Sequence, residues 1–222
     1  MLEENLIWLL NTKDKNNRVQ SAKKIQKMGL SSERVVVALS KALEKALDKQ
    51  DFETVEAVIK TIRSIGSNAK TAAPALIKAL QANMNWSKQV FNSPRAYSKH
   101  VAPKAQAIET LGEIGSEIAA IQLIEAIRNE SGSIKILAVN ALEKIGPKAE
   151  IVTPVLLSVM NNKDFLSKLS NASIYNTFVR SAISLIQKVS PNSENEIVNV
   201  LEKVNAKAKN IILKSIQETK NS

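Results

Sequence analysis

Ile65-Gly66-Ser67-Asn68-Ala69-Lys70-Thr71-Ala72-Ala73-Pro74-Ala75-Leu76-Ile77-Lys78-Ala79-Leu80 decides the architecture of this chain. It reads as a helix end, a glycine turn, and a second helix with a proline in its first half. The pattern returns at Ile145-Gly146-Pro147-Lys148-Ala149 and runs on through Pro154, Leu156, Leu157 and Met160. It returns more loosely at Ile114-Gly115 and Met28-Gly29. Self-similarity on this scale is the signature of a helical repeat array, in which each unit buries its apolar face against its neighbours. Pro74 lies too deep for the first turn of a helix starting at Asn68. It must either bend that helix or mark a second start after a short turn.

Working outward, each unit carries a helical stripe. Val19, Ala22, Ile25 and Met28 recur at spacing three, followed by Gly29 as a helix stop and Ser31 or Ser32 as a cap for Val35–Leu47. Val55, Val58, Ile59 and Ile62 form the next stripe, and Ala107, Ile108, Leu111 and Ile114 the one after, with Pro103 at its helix start. The expected boundaries are a half-repeat cap over 2–14 and repeats over 16–49, 51–82, 101–129, 132–161 and 173–204. A C-terminal cap helix is expected over 206–219, with inserts at 83–100 and 162–172. The turn positions 29, 66, 115, 146 and 190 are spaced 37, 49, 31 and 44 apart, so the longer units must hold extra material. Inserts of this kind map to loops on one face, often the binding face.

Composition agrees with an all-helical array. Apolar residues make up 44% of the chain but aromatics only 4%, so Ala, Ile, Leu and Val must carry the packing. The chain has no cysteine, which excludes disulfides and thiolate metal sites. Met1-Leu2-Glu3-Glu4 lacks a basic n-region and no apolar run is long enough to span a bilayer, so a cytoplasmic protein without a membrane segment is expected. The formal charge of +10 invites acidic partners or nucleic acid.

Ala107 or Ala138, Leu111 or Leu142, the Ile-Gly pairs at 114–115 and 145–146, and then Ala149, Pro154 and Leu156 resemble HEAT repeats. They are most similar to the short subtype named after phycobilisome lyases. The resemblance covers nearly the whole chain outside the two inserts. It implies an all-α, right-handed α-solenoid of about five HEAT-like helix pairs with terminal capping helices. It also implies a family that includes lyase subunits handling open-chain tetrapyrroles, assembly scaffolds and binding modules.

Enzyme chemistry has little to stand on. His100 is the single histidine, and a nucleophile–imidazole system needs an orienting partner as well. Metal sites draw on several His, Cys or carboxylate ligands. Glu109 and Glu113 share a helix face at i,i+4 but read as solvated. No catalytic, cofactor-binding or metal-binding residues and no cofactor are therefore expected.

The uneven features lie elsewhere. From Ala57 through Ile108 there is no Asp or Glu, while Lys60, Arg63, Lys70, Lys78, Lys88, Arg95, Lys99 and Lys104 fall within that span. The first insert adds Trp86, Phe91 and Tyr97; the second region adds Phe165, Tyr175 and Phe178. Aromatic and arginine side chains are favoured at interface hot spots. The candidate partner-binding residues are thus Trp86, Lys88, Phe91, Arg95, Tyr97 and Lys99, with Lys41 and Lys78 on the second helices. Trp8 occupies the position that Lys41, Lys78, Glu125, Ser158 and Asn199 hold in other units, and reads as cap packing rather than an edge contact. The leading expectation is a non-catalytic scaffold or adaptor for a protein partner, an acidic one on charge grounds. The alternatives are a phycobilin lyase subunit or phycobilisome-assembly chaperone, and a nucleic-acid-binding protein. Against the last, residues 101–150 carry 5 basic and 7 acidic residues.

Overall fold

The structure is a computed structural model. It describes residues 1–82, 94–130, 132–146, 149–160, 162, 172–190, 192 and 197, with side chains omitted at 94–102, 132, 149, 150 and 172–176. Every regular element among the described residues is helical. The chain divides into two compact units, Met1–Ala119 and Ala120–Ser222.

The first unit comprises α1 (Leu2–Leu10), α2 (Lys15–Met28), α3 (Glu33–Asp48) and α4 (Phe52–Ile65). A 3₁₀ segment (Gly66–Ala72), α5 (Ala73–Gln81), α6 (Pro94–Ile114) and a short 3₁₀ turn (Glu117–Ala119) follow. Helix α4 packs against both α2 and α6, making one layer, while α3 packs against α1 and α5, making the other. Contacts of α1 with α2, α3 with α4, and α5 with α6 join the layers. This two-layered stack of helix pairs is an all-α solenoid arrangement.

The stripes explain the stack. Ala22 and Ile25 of α2, Val55, Val58, Ile59 and Ile62 of α4, and Ala107, Ile108, Leu111 and Ile114 of α6 are all completely buried. Leu39 and Leu43 of α3 and Leu76 of α5 meet them from the other layer. Truncating one such Leu or Ile to Ala costs about 2–5 kcal/mol. Met28, expected to close the α2 stripe, is instead 47% exposed. It is the last residue of its helix, where the chain turns away at Gly29, so its side chain has fewer neighbours to meet.

Helix ends follow local chemistry. Asp14, Ser32 and Asp51 cap α2, α3 and α4, each side chain accepting a hydrogen bond from the backbone N–H three residues on. Gly29 is left-handed (φ +63°) and closes α2. Gly66 has φ +69° and ψ −141°, a region open in practice to glycine alone. Pro74 resolves as a second start: the 3₁₀ segment precedes it, and it occupies the first turn of α5, where its missing N–H is harmless. Pro154 stands at the same distance of eight residues from its glycine, yet lies inside a continuous helix.

Pro103 departs from expectation. It lies inside α6, which begins at Pro94, so residues 94–102 precede it as helix. A proline interior to a helix removes one backbone hydrogen bond without forbidding continuation. Pro94 takes the helix-start role that the sequence suggested for Pro103.

The second unit contains α7 (Ala120–Asn129), α8 (Gly132–Ile145), α9 (Ala149–Met160) and α10 (Ala172–Val189). Helix α7 packs on α8 and α9, and α10 packs on the same two. Leu123, Ile127, Leu142, Leu156, Met160, Phe178, Ile183 and Ile186 form its core. Phe178 is thus packing material. The Lys135 ammonium of α8 is buried and donates to the backbone carbonyls of Ile127 and Arg128, the latter at 3.0 Å. These belong to the last turn of α7, whose carbonyls lack helical donors and sit at the negative end of the helix dipole. The expected helix 192–204, apart from a buried Ile197, and the expected cap helix 206–219 lie outside the described residues.

Candidate interaction surface

The layer formed by α1, α3 and α5 presents corresponding positions outward. Trp8, Lys41 and Lys78 occupy them, and all three are exposed. The neighbouring position on α3 is Val37, which is also exposed. The buried set of α3, Val35, Val36, Ala38, Leu39, Ala42, Leu43, Ala46 and Leu47, leaves only a narrow outward strip for Val37, Lys41 and Lys45. In the second unit Glu125 of α7 and Ser158 of α9 are exposed as well, while Asn199 lies outside the described residues.

Trp8 corrects the expectation of cap packing. Its side chain is 66% exposed, while Leu6 and Leu10 on the same helix are buried. An indole so displayed leaves a large apolar area in water, the kind of group interfaces recruit.

Charges on this face are mostly tied. Lys78 Nζ lies 2.9 Å from Asp48 of α3, and that hydrogen bond raises its pKa above the ordinary value. Arg34 lies 3.6 Å from Glu4 across α3 and α1, and Lys45 Nζ donates to Asn11 Oδ1 at 3.0 Å. Lys41 forms no ion pair among the described residues.

One polar cluster locks this face in place. Arg18 of α2 reaches Asp51 Oδ2 at 2.6 Å and donates to the carbonyls of Thr12 and Lys13 at 2.9 and 2.8 Å. It thereby ties the turn after α1 to the start of α4. The side chains of Arg18 and Asp51 are only 12% and 9% exposed. Burial pushes the Asp51 carboxyl upward, but hydrogen bonds from the Thr54 hydroxyl, Arg18 and the Thr54 N–H outweigh it, leaving its pKa below the ordinary value.

The acid-free span proves less basic in space than along the chain. Lys60 pairs with Glu56 at 2.7 Å, and Arg63 forks onto Glu109 at 2.6 Å and Glu113 at 3.6 Å. Glu109 and Glu113 are therefore partners of Arg63 rather than merely solvated. With Lys78 on Asp48, three cations of the span are matched by carboxylates that lie just outside it.

Trp86, Lys88 and Phe91 lie outside the described residues. Positions 95, 97 and 99 fall on the first turns of α6, and the side chains of Arg95, Tyr97 and Lys99 lie outside the description. Positions 95 and 99 share one helix face, whereas position 97 lies roughly 200° around it, by the pitch of the α-helix. Among the described residues no group of three or more His, Cys, Asp or Glu could hold a metal, and no helix is long and apolar enough to cross a membrane.

No family model matches the chain, and no curated protein matches it. Among solved structures it is similar to a designed armadillo repeat protein, YIII(Dq.V1)4CPAF, in complex with the peptide (KR)4. The identity is 18%, the TM-score is 0.53, and the match covers 98% of this chain and 97% of that one. The likeness establishes an armadillo-like helical repeat solenoid.

Proposed function

We propose that this protein is a non-catalytic scaffold that docks a protein partner on the outward face of α1, α3 and α5. The observation that carries the reading is Trp8, an indole 66% exposed in line with Lys41 and Lys78. A rigid aromatic anchor with the Lys41 ammonium on the next helix of the face suits an extended segment bearing an apolar residue and a carboxylate. The likeness to a helical repeat protein that holds a peptide adds support at the level of architecture. That peptide is basic, whereas the +10 charge of this chain calls for an acidic partner. Trp86, Lys88, Phe91, Arg95, Tyr97 and Lys99 are proposed as further contacts, on their aromatic and basic character. A cytoplasmic location belongs to the same proposal.

The test is a peptide-display selection with the purified protein, followed by titration of the selected peptides. Trp8→Ala with Lys41→Glu should weaken binding by roughly 2 kcal/mol or more, the hot-spot scale. The same variant should melt as the wild type does, since exposed substitutions usually stay within about 0.5 kcal/mol. Selected peptides that bind the variant as tightly as the wild type would overturn the reading.

The phycobilisome-lyase-type identity remains a finer proposal resting on the Ile-Gly turn pattern, and absorbance change on adding a bilin tests it. The nucleic-acid reading draws less support, because the span that motivated it is partly neutralised by ion pairs. Binding by phosphate neutralisation must fall steeply with salt, so a salt titration decides it.

A further inference from the structure

We infer that the outer face of α2 is a second docking surface, for an acidic protein segment, separate from the Trp8 face. Lys23, Lys24 and Lys27 are all exposed there. Ser21, Ala22 and Ile25 form the buried side of the helix, and at 100° per residue Lys27 stands opposite them with Lys23 and Lys24 on its flanks. The helix contains no acid between Lys15 and Met28.

Three such charges cluster on one helix face, and among the described residues none of them forms an ion pair. The elements most extensively packed against α2 are α1 and α4. On α1, Glu3 accepts from Ser32 and Glu4 pairs with Arg34. On α4, Glu53 pairs with Lys15 and Glu56 with Lys60, while its cap Asp51 holds Arg18. Asp14, which caps α2 itself, accepts from Asn17. Every carboxylate on the adjoining helices thus has another partner, and among the described residues Lys23, Lys24 and Lys27 have none. Like charges three and four residues apart, Lys24–Lys27 and Lys23–Lys27, repel within the helix, a cost that an acidic partner would relieve.

The chemistry selects the partner. The face holds lysines but no arginine, so it lacks the bidentate fork that suits phosphate, and Gln20 and Asn16 beside it offer no ring for base stacking. The three ammonium groups lie within little more than one helical turn, a footprint that two or three side-chain carboxylates of a short acidic segment can cover. Met28, exposed at the end of the same helix, offers an apolar contact beyond the charges.

The experiment uses the full chain and a fluorescein-labelled peptide of eight glutamates, titrated by anisotropy at about 50 and 200 mM salt, where screening lengths differ appreciably. The peptide should bind at low salt and weaken at high salt. Lys23→Gln/Lys24→Gln/Lys27→Gln should weaken it about tenfold or more, and Lys27→Gln alone about threefold, on the scale of exposed ion pairs. Lys13→Gln/Lys49→Gln/Lys70→Gln removes the same charge elsewhere and should stay within about twofold of wild type. Trp8→Ala should leave this affinity unchanged, so failure of the Trp8 reading and failure of this one are read separately. Melting curves should show the α2 variants as stable as wild type or more so, because like-charge repulsion is relieved. Three results would each overturn the inference. The peptide does not bind at low salt; the two triple variants weaken alike; or an eight-nucleotide thymidine strand binds more tightly through the same lysines.

Discussion

Replacing Asp51 with Ala should unfold the first unit more readily than any surface change, and the structure sets the size of the effect. Asp51 caps α4 and accepts from Arg18, with both side chains largely buried. Loss of an N-cap costs about 0.5–2 kcal/mol. Stranding a buried guanidinium costs about 3–5 kcal/mol when it loses all compensation. Arg18 keeps the carbonyls of Thr12 and Lys13, so its share falls below that range. A combined loss of about 3 kcal/mol is expected, which for a chain of this length lowers the melting temperature by roughly 6–12 °C. Asp51→Asn keeps an oxygen for the Thr54 N–H but turns the other oxygen, the acceptor for Arg18 and the Thr54 hydroxyl, into an NH2 donor, so it should keep the cap, lose the Arg18 pairing and cost less than Asp51→Ala. The folded-state pKa of Asp51 lies below its ordinary value of 3.8. Its charge-dependent stabilisation is therefore complete above 3.8 and is lost as the pH falls through the depressed folded value. Thermal melts followed by circular dichroism at pH 7 and at about pH 2 provide the assay, with the second condition chosen to protonate an ordinary carboxyl. An Asp51→Ala loss under about 1 kcal/mol would refute the reasoning, being no more than an exposed pair gives. So would a gap between wild type and Asp51→Asn that persists undiminished in acid.

Gln50 adopts a left-handed conformation (φ +54°) after α3, so Gln50→Gly should raise stability by about 0.5–1 kcal/mol, read from denaturant midpoints at constant slope. The Ser21 hydroxyl is buried in α2 with no hydrogen-bond partner among the described residues, so Ser21→Ala should be neutral or stabilising in the same assay. Lys135→Met should destabilise by about 1–3 kcal/mol by leaving the carbonyls at the end of α7 without their donor. Burial lowers the Lys135 pKa below 10.5, against an opposing pull from Glu130. Between that lowered value and 10.5 the unfolded chain holds a proton the folded chain has released, so wild-type stability from this group rises with pH. The gap between wild type and Lys135→Met should widen over that interval; chemical denaturation at a series of alkaline pH values checks it, and a narrowing gap contradicts the assignment.

What the sequence by itself determined is local. Helix stops at Gly29, Gly66, Gly115 and Gly146 were legible, and all four adopt positive φ, because backbone sterics act within a residue or two. The stripes at Val55–Ile62 and Ala107–Ile114 were legible because a 3.6-residue period puts them on one face, and any packed layer buries that face. Tertiary structure alone decided the rest. Chain order showed an acid-free run from Ala57 to Ile108, but Coulomb attraction acts across the 46 residues separating Arg63 from Glu109 because α4 and α6 are adjacent. Other pairings, Glu4 with Arg34, Glu53 with Lys15 and Glu56 with Lys60, occupy acids of α1 and α4, and among the described residues Lys23, Lys24 and Lys27 of α2 have no ion pair, which the helix's polar sequence does not reveal. Trp8 shared an outward register with Lys41 and Lys78, yet an indole could also have folded back on the stack. Its exposure was settled by Leu6 and Leu10, which fill the buried side of α1 and leave the ring facing solvent.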